Sequence, residues 1–154
     1  MKPIRLLVVH CSATPANRDL GVAEIRAMHK KQGWRDVGYH YVIRRNGVVE
    51  KGRPDNVIGA HVAGHNDGSL GICLVGGVKP DMTAETNFTP AQYDALRTLL
   101  QELTGRYPAA RVCGHRDLSP DRNGDGKVTK GEWVKDCPTF DVEPWWAANK
   151  GRQA

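Results

Sequence analysis

The chain has 154 residues, 40% of them hydrophobic and 25% charged, which fits one domain that can bury its own core. Its net charge of +5 favours contact with polyanions, but the basic residues are scattered and form no stripe typical of nucleic-acid binding. No apolar run approaches the roughly 18 residues that a membrane-spanning helix needs. We therefore expect a monomeric domain spanning residues 1–154, with no nucleic-acid partner and no membrane insertion.

The N-terminal residues predict no export signal, because their apolar run is too short for the hydrophobic region of a signal peptide. We therefore expect a protein that is made in a cytoplasm and not secreted by a signal of its own. Without secretion, the cysteines are expected to be free thiols or metal ligands rather than disulfides. They are Cys11, Cys73, Cys113 and Cys137.

The predicted elements alternate between strands and helices, which indicates an α/β domain with a central mixed β-sheet flanked by helices. Asp19, Thr89 and Asp141 are predicted helix N-caps, and Asn46-Gly47 predicts a type I′ hairpin turn. In chain order the elements are a strand at 4–10, a helix at about 20–32, a hairpin over 39–51, a strand at 69–75, a helix from about 90 to 106, a strand at 111–114 and a helix ending near 149.

Residues 121–132 are predicted to form an EF-hand-like calcium loop, because every required position of the calcium pattern is matched. Pro120 argues against the entering helix of a true EF-hand, and no second loop pairs with this one. We therefore predict an isolated structural calcium site; the alternative is a solvated turn that binds nothing strongly. The predicted ligands are Asp121, Asn123, Asp125, the backbone carbonyl of Lys127, and Glu132.

His115 and Cys137 flank this loop and are ligands of the kind that zinc prefers. Catalytic zinc usually takes three protein ligands and leaves a fourth position for water. His10 ends the first predicted strand and is a candidate third ligand; the alternative is a hydrogen-bonded histidine at a strand end. Cys113 is a rival ligand, or else a small buried hydrophobic residue.

The remaining cysteine and histidines give weaker signals. Strand alternation sends Cys11 to the sheet face opposite His10, so the two are not expected to bind one ion. His61 and His65 are four residues apart, but the glutamate of H-E-x-x-H is missing. His29 is expected on the surface of its helix.

Several long motifs resemble the type 2 N-acetylmuramoyl-L-alanine amidases, in particular the small phage lysozymes or endolysins related to peptidoglycan recognition proteins. The resemblance covers residues 4–149 in the same order. The motifs are H-C-S-A-T at 10–14, E-I-R-A-M-H-K-K-Q-G-W-R-D-V-G-Y-H-Y at 24–41, G-A-H-V-A-G-H-N at 59–66, S-L-G-I-C-L-V-G at 69–76 and F-T-P-A-Q at 88–92.

This resemblance implies a zinc ion held by His10, His115 and Cys137, and so favours His10 over Cys113. It also implies that Tyr39 and Lys135 are catalytic. The calcium-type loop inserted before Lys135 is a departure from the shortest relatives, and makes Lys135 the least secure of these assignments.

The substrate implied is bacterial peptidoglycan, cut at the amide between N-acetylmuramic acid and L-alanine, with His61 and Asn66 as candidate substrate contacts. Together with the resemblance, the predicted lack of an export signal fits a phage or prophage endolysin that stays in the cytoplasm of the bacterial host and acts on the wall after release. Alternatives are a non-catalytic peptidoglycan-recognition module, a cytoplasmic amidase that recycles muropeptides, and, from the calcium loop alone, a calcium-responsive regulatory protein.

Overall fold

The computed structural model describes residues 1–119, 128 and 136–152. Seven strands are interspersed with three helices in this part of the chain, and four of the strands follow one another without a helix between them. The strands are β1 (Leu6–Cys11), β2 (Thr14–Pro15), β3 (Tyr41–Ile43), β4 (Val49–Lys51), β5 (Ser69–Leu74), β6 (Gly77–Val78) and β7 (Arg111–Gly114); the helices are α1 (Val22–Lys31), α2 (Pro90–Arg106) and α3 (Val142–Asn149), with a 3₁₀ turn at His115–Leu118.

The central sheet has five strands in the order β4-β3-β5-β1-β7. Its strands pair in parallel except for the edge strand β4, which is antiparallel to β3. The predicted α/β class with a mixed sheet is therefore confirmed. Strands β2 and β6 form a separate parallel pair that sequence analysis missed, because two residues are too few to show an alternating pattern.

Strand β1 is apolar along its length because both faces of the sheet are covered. Leu7 and Val9 belong to the larger core cluster, together with the leucines of α2. Val8 points into a smaller cluster that also contains Val62 and Cys113. The strand that carries His10 is therefore fixed by packing on both sides.

Helix α1 begins at Val22 with Gly21 as its N-cap, so the prediction of Asp19 as the cap is wrong. The Gly21 N–H donates to Glu24 Oε2 at 2.9 Å, which satisfies an amide that the helix itself leaves unpaired. Asp19 pairs instead with Arg44 at 3.1 Å.

Helix α2 confirms its predicted start. Thr89 Oγ1 accepts a hydrogen bond from the Gln92 N–H at 3.1 Å, and Gln92 Oε1 accepts from the Thr89 N–H at 2.9 Å. The side chains that face the sheet are buried leucines at helical spacing. They are Leu96, Leu99, Leu100 and Leu103.

Strands β3 and β4 form the predicted hairpin, but its turn is not type I′. That turn needs positive φ at two successive residues, and here Gly47 has φ +88° whereas Asn46 is not in the left-handed region. The Gly47 N–H donates to the Arg44 carbonyl and the Arg44 N–H to the Val48 carbonyl, both at 2.9 Å. The loop is therefore a turn closed by one left-handed glycine.

Helix α3 follows Asp141 as predicted, but the Asp141 carboxylate accepts from Arg116 rather than capping the helix. Among the described residues, no helix is both long and apolar enough to cross a bilayer. The predicted calcium ligands and the predicted catalytic lysine lie outside the described residues. These are Asp121, Asn123, Asp125, Lys127, Glu132 and Lys135.

Candidate metal centre and groove

Neighbouring parallel strands bring two histidines to the same edge of the sheet. Val9 of β1 pairs with Gly114 of β7. His10 follows Val9 and His115 follows Gly114, so the two histidines lie next to each other. The centroids of these two rings lie 4.7 Å apart, and His10 is only 1% exposed. The carboxyl ends of parallel strands are where open α/β sheets bind ligands.

Cys137 completes a cluster with these histidines. One ligand atom from each of His10, His115 and Cys137 lies within 4.8 Å of the others, and His10 Nδ1 is 3.9 Å from Cys137 Sγ. Bonds of about 2.0–2.1 Å to nitrogen and about 2.3 Å to sulfur can reach one ion from such positions with small adjustments. Two imidazoles and a thiolate are a donor set that suits zinc. The residues present therefore fit a zinc ion.

Cys113, the rival ligand predicted from sequence, lies outside this cluster. It is completely buried against Val8 and Val62. Burial raises the pKa of the Cys113 thiol to about 12, which keeps it protonated. Its surroundings are those of a core residue.

Cys11 and Cys137 both belong to the larger core cluster, and Cys11 contacts the sulfur of Cys137. The Cys11 N–H donates to Cys137 Sγ at 3.2 Å. Hydrogen bonding with Cys11, together with burial, raises the pKa of the Cys137 thiol well above its ordinary value. A metal that binds here must therefore displace a proton from Cys137.

Tyr39 lies beside the cluster, with its ring centroid 5.1 Å from that of His10. Burial raises the pKa of the Tyr39 phenol well above its ordinary value. The hydroxyl therefore keeps its proton and can donate a hydrogen bond at neutral pH.

His29 is not on the helix surface, so that prediction is wrong. It is 9% exposed, and its Nδ1 accepts a hydrogen bond from the Gly38 N–H at 2.8 Å. Its ring centroid lies 4.5 Å from that of Trp34 and 5.5 Å from that of Tyr39. The segment after α1 therefore folds back over the last helical turn, where His29 contacts the rings of both Trp34 and Tyr39.

His61 and Asn66 both line the groove at the cluster. His61 Nδ1 lies 2.9 Å from His10 Nε2, and His61 Nε2 lies 3.1 Å from Ser69 Oγ. Burial lowers the pKa of His61 to about 3, so the ring is neutral at physiological pH. Asn66 Oδ1 accepts hydrogen bonds from the backbone N–H groups of His61 and Val62. Asn66 thus holds the segment that carries His61.

One groove of about 690 Å³ joins these features, a volume within the range of ligand-binding clefts. Apolar side chains from Met28, Trp34 and Met82 form part of its walls and are exposed to solvent. The residues predicted from sequence that line it are His10, Tyr39, His61, Asn66, His115 and Cys137.

Comparisons with known proteins agree on one family. Residues 1–138 match the family model described as N-acetylmuramoyl-L-alanine amidase. An endolysin of Klebsiella phage KP32 is 49% identical over 144 residues, which cover 94% of this chain and 86% of that protein. The solved structure of N-acetylmuramoyl-L-alanine amidase LysC from Clostridium intestinale has a TM-score of 0.72 at 26% identity, covering 94% of this chain and 84% of that one. Drosophila PGRP-LB has a TM-score of 0.71 at 26% identity, covering 96% and 82%.

Proposed function

Because the chain belongs to the N-acetylmuramoyl-L-alanine amidase family and has that enzymatic activity, we propose that it is a zinc-dependent phage or prophage endolysin. In this proposal His10, His115 and Cys137 hold the zinc. The observation that carries it is the mutual approach of their ligand atoms, within 4.8 Å, in a groove large enough for a substrate.

The bond to be cut joins the lactyl group of N-acetylmuramic acid to L-alanine in peptidoglycan. Hydrolysis adds the oxygen of water to the acyl carbon, breaks the carbon–nitrogen bond and delivers a proton to the departing alanine nitrogen. When bound, zinc supplies Lewis acidity, which activates water and polarises the scissile carbonyl. The protein must stabilise the negative charge that develops on the carbonyl oxygen.

Tyr39 is suited to that task because its phenol remains protonated and its ring lies beside that of His10. In the proposed mechanism it donates a hydrogen bond to the developing oxyanion or orients the attacking water. Lys135, which the family resemblance assigns as catalytic, supplies a positive charge to the same oxygen. A preorganised donor of this kind contributes about 3–4 kcal/mol to transition-state stabilisation.

The groove also supports a peptidoglycan substrate. Its walls offer apolar surface from Trp34, Met28 and Met82 for the sugar ring or the stem peptide. His61 and Asn66 also line the groove and remain candidate contacts to the substrate. The net charge of +5 favours approach to an anionic wall, and this attraction weakens as salt rises.

Two alternatives are less well supported. A non-catalytic recognition module has no need of a complete ligand set, whereas this chain keeps both histidines and Cys137. A cytoplasmic amidase that recycles soluble muropeptides would use the same chemistry. The 49% identity to an endolysin over 94% of the chain favours lysis. In this proposal the protein stays in the host cytoplasm until its release.

A structural calcium ion is a further part of the proposal. It rests on the calcium pattern at 121–132, whose carboxylates would otherwise repel one another. Because the loop lies between His115 and Cys137 in sequence, a bound calcium ion would hold these two ligands near each other. Calcium would then stabilise the zinc site without taking part in hydrolysis.

Digestion of purified sacculi tests the proposal, with mass spectrometry to count newly freed alanine amino termini. We expect them to accumulate in the untreated sample and to disappear after zinc chelation. Unchanged cleavage after complete metal removal would contradict zinc dependence. Faster cleavage of soluble muropeptides than of sacculi would favour the recycling role over lysis.

A further inference from the structure

We propose that His61 is a positioning residue that fixes the tautomer of His10, so that His10 presents a lone pair at Nδ1. This inference rests on the proposed zinc function, because Nδ1 is the His10 nitrogen that faces Cys137 Sγ, at 3.9 Å. It assigns to His61 a task different from the substrate contact predicted from sequence.

A chain of hydrogen bonds runs from two backbone carbonyls through Ser69 and His61 to His10. Ser69 Oγ lies 2.7 Å from the carbonyl oxygen of His65 and 3.0 Å from that of Asn66. Carbonyl oxygens accept hydrogen bonds but cannot donate them. Oxygens this close repel unless a proton lies between them, so the Ser69 hydroxyl donates its proton to these carbonyls.

That donation determines the protonation of His61. Ser69 Oγ is also 3.1 Å from His61 Nε2, and its single proton is already in use. Ser69 therefore accepts a hydrogen bond from N–H at His61 Nε2. A neutral imidazole has one N–H, so His61 Nδ1 carries a lone pair.

The lone pair on His61 in turn determines the protonation of His10. His61 Nδ1 is 2.9 Å from His10 Nε2, and because His61 accepts there, His10 must donate from Nε2. In a neutral ring the proton at Nε2 leaves Nδ1 unprotonated. The backbone carbonyls of His65 and Asn66 thus select, through two side chains, the form of His10 that can bind a metal.

Two glycines make room for the His61 ring. A Cβ added to Gly71 would lie 2.6 Å from His61 Cγ, and one added to Gly59 would lie 2.8 Å from His61 Cδ2. Any larger residue at either position would have to displace the ring. Asn66 Oδ1 accepts a hydrogen bond from the His61 backbone N–H at 2.9 Å. The ring is therefore positioned by the surrounding backbone as well as by its hydrogen bonds.

Holding the tautomer matters because zinc binds only an unprotonated imidazole nitrogen. A His10 ring that had its proton on Nδ1 would have to move that proton before it could bind. Outer partners of metal-binding histidines typically contribute about 10–100-fold to metal affinity or activity. Unlike a carboxylate partner, a neutral imidazole adds no negative charge to the centre.

Zinc affinity of three variants tests this role, measured by competition with a chromophoric chelator. His61→Leu removes the acceptor, and we expect zinc to bind about 10–100-fold more weakly. His61→Asn can place an amide oxygen where Nδ1 stood, and it should recover most of the loss. His65→Leu is the matched control. It removes a histidine side chain but keeps the backbone carbonyl that accepts from Ser69, so this variant should bind zinc like the parent.

Nitrogen-15 NMR of the histidine rings in metal-free protein provides a second readout that does not depend on zinc. We expect His10 to carry its proton on Nε2 in the parent and to populate both tautomers in His61→Leu. A parent His10 protonated on Nδ1, or a folded His61→Leu protein with parental zinc affinity, would overturn the inference. A parent that binds no zinc but shows the expected tautomer would contradict the proposed function and leave this inference standing.

Discussion

Arg116 donates its backbone N–H to the carbonyl oxygen of Cys137 at 2.8 Å, which ties the residue after His115 to the third candidate ligand. The guanidinium of Arg116 is buried and forked between two carboxylates. Its Nη1 lies 2.9 Å from Asp136 and its Nη2 lies 2.5 Å from Asp141. Arg116 therefore holds the chain on both sides of Cys137.

Arg116→Lys should weaken this fixation, because a lysine ammonium keeps the charge but cannot reproduce the planar fork. We expect the free energy of unfolding to fall by about 1–3 kcal/mol in urea denaturation, with weaker zinc binding. Arg111→Lys is the matched control, since Arg111 and its partner Glu143 are 54% and 45% exposed and such pairs contribute about 0–1 kcal/mol. If Arg116→Lys kept the parental stability and zinc affinity, Arg116 would not be the residue that holds the chain around Cys137.

Tyr39→Phe should fold and bind zinc but lose most of its activity. The substitution removes only the hydroxyl that is proposed to donate to the developing oxyanion. Loss of one such donor typically lowers kcat by about 10²–10³-fold. Tyr93→Phe is the control, because Tyr93 packs among Phe88, Phe140 and Trp145 away from the groove. Release of alanine amino termini at the parental rate by Tyr39→Phe would exclude its hydroxyl from the mechanism.

Asp55 joins the sheet to the end of α2. Its carboxylate accepts hydrogen bonds from the Tyr41 hydroxyl at 2.9 and 3.0 Å and from Arg106 at 3.0 Å, and it also pairs with Lys51. Burial by itself would raise the pKa of Asp55, but the hydrogen bonds from Lys51 and Tyr41 outweigh it, and the pKa is lowered. The ionised form is thus favoured in the folded state.

Asp55→Asn should therefore destabilise the protein at neutral pH, by about 1–3 kcal/mol. A carboxyl whose pKa is lowered by folding contributes stability above its unfolded pKa of about 3.9 and loses it as pH falls through the folded pKa. The difference between parent and variant should accordingly shrink below pH of about 4 in urea denaturation. Glu102→Gln, which removes a pair between Arg106 and a 62% exposed side chain, should change stability by at most about 1 kcal/mol. A difference that persists unchanged at low pH would contradict this account.

Calcium should raise the melting temperature of the zinc-loaded protein if residues 121–132 form the proposed site. Binding to the folded state alone stabilises it by mass action, so the shift should grow with calcium concentration. Asp125→Asn should reduce the shift, because it removes one of the carboxylates that bind the ion. Asp81→Asn, in an exposed loop elsewhere, is the control. An unchanged melting temperature across calcium concentrations would exclude the site.

Local patterns were sufficient for much of the fold. The apolar run of β1 and the Thr89-Pro90 start of α2 are determined by neighbouring residues, so they could be predicted. The cap of α1 could not, because the choice between Asp19 and Gly21 depends on Arg44, which pairs with Asp19 from a distant hairpin. The turn type failed for a similar reason, since Asn46 can adopt several conformations and only the strand geometry selects one.

The candidate site, too, could be predicted only in part. Ligand chemistry and family resemblance pointed to His10, His115 and Cys137, but their approach depends on the parallel pairing of β1 with β7, which no local pattern reveals. The contact between His61 and His10 spans 51 positions of sequence. It also needs the space left by Gly71 on another strand, so no spacing rule could have identified it.

Titration of zinc into metal-free protein, with alanine amino termini released from sacculi as the readout, tests the central claim most directly. We expect no cleavage without zinc, a linear rise to one ion per chain and no recovery in Cys137→Ser at the same zinc concentrations. Full activity of the metal-free protein, or a Cys137→Ser variant that cleaves sacculi as fast as its parent, would contradict the claim.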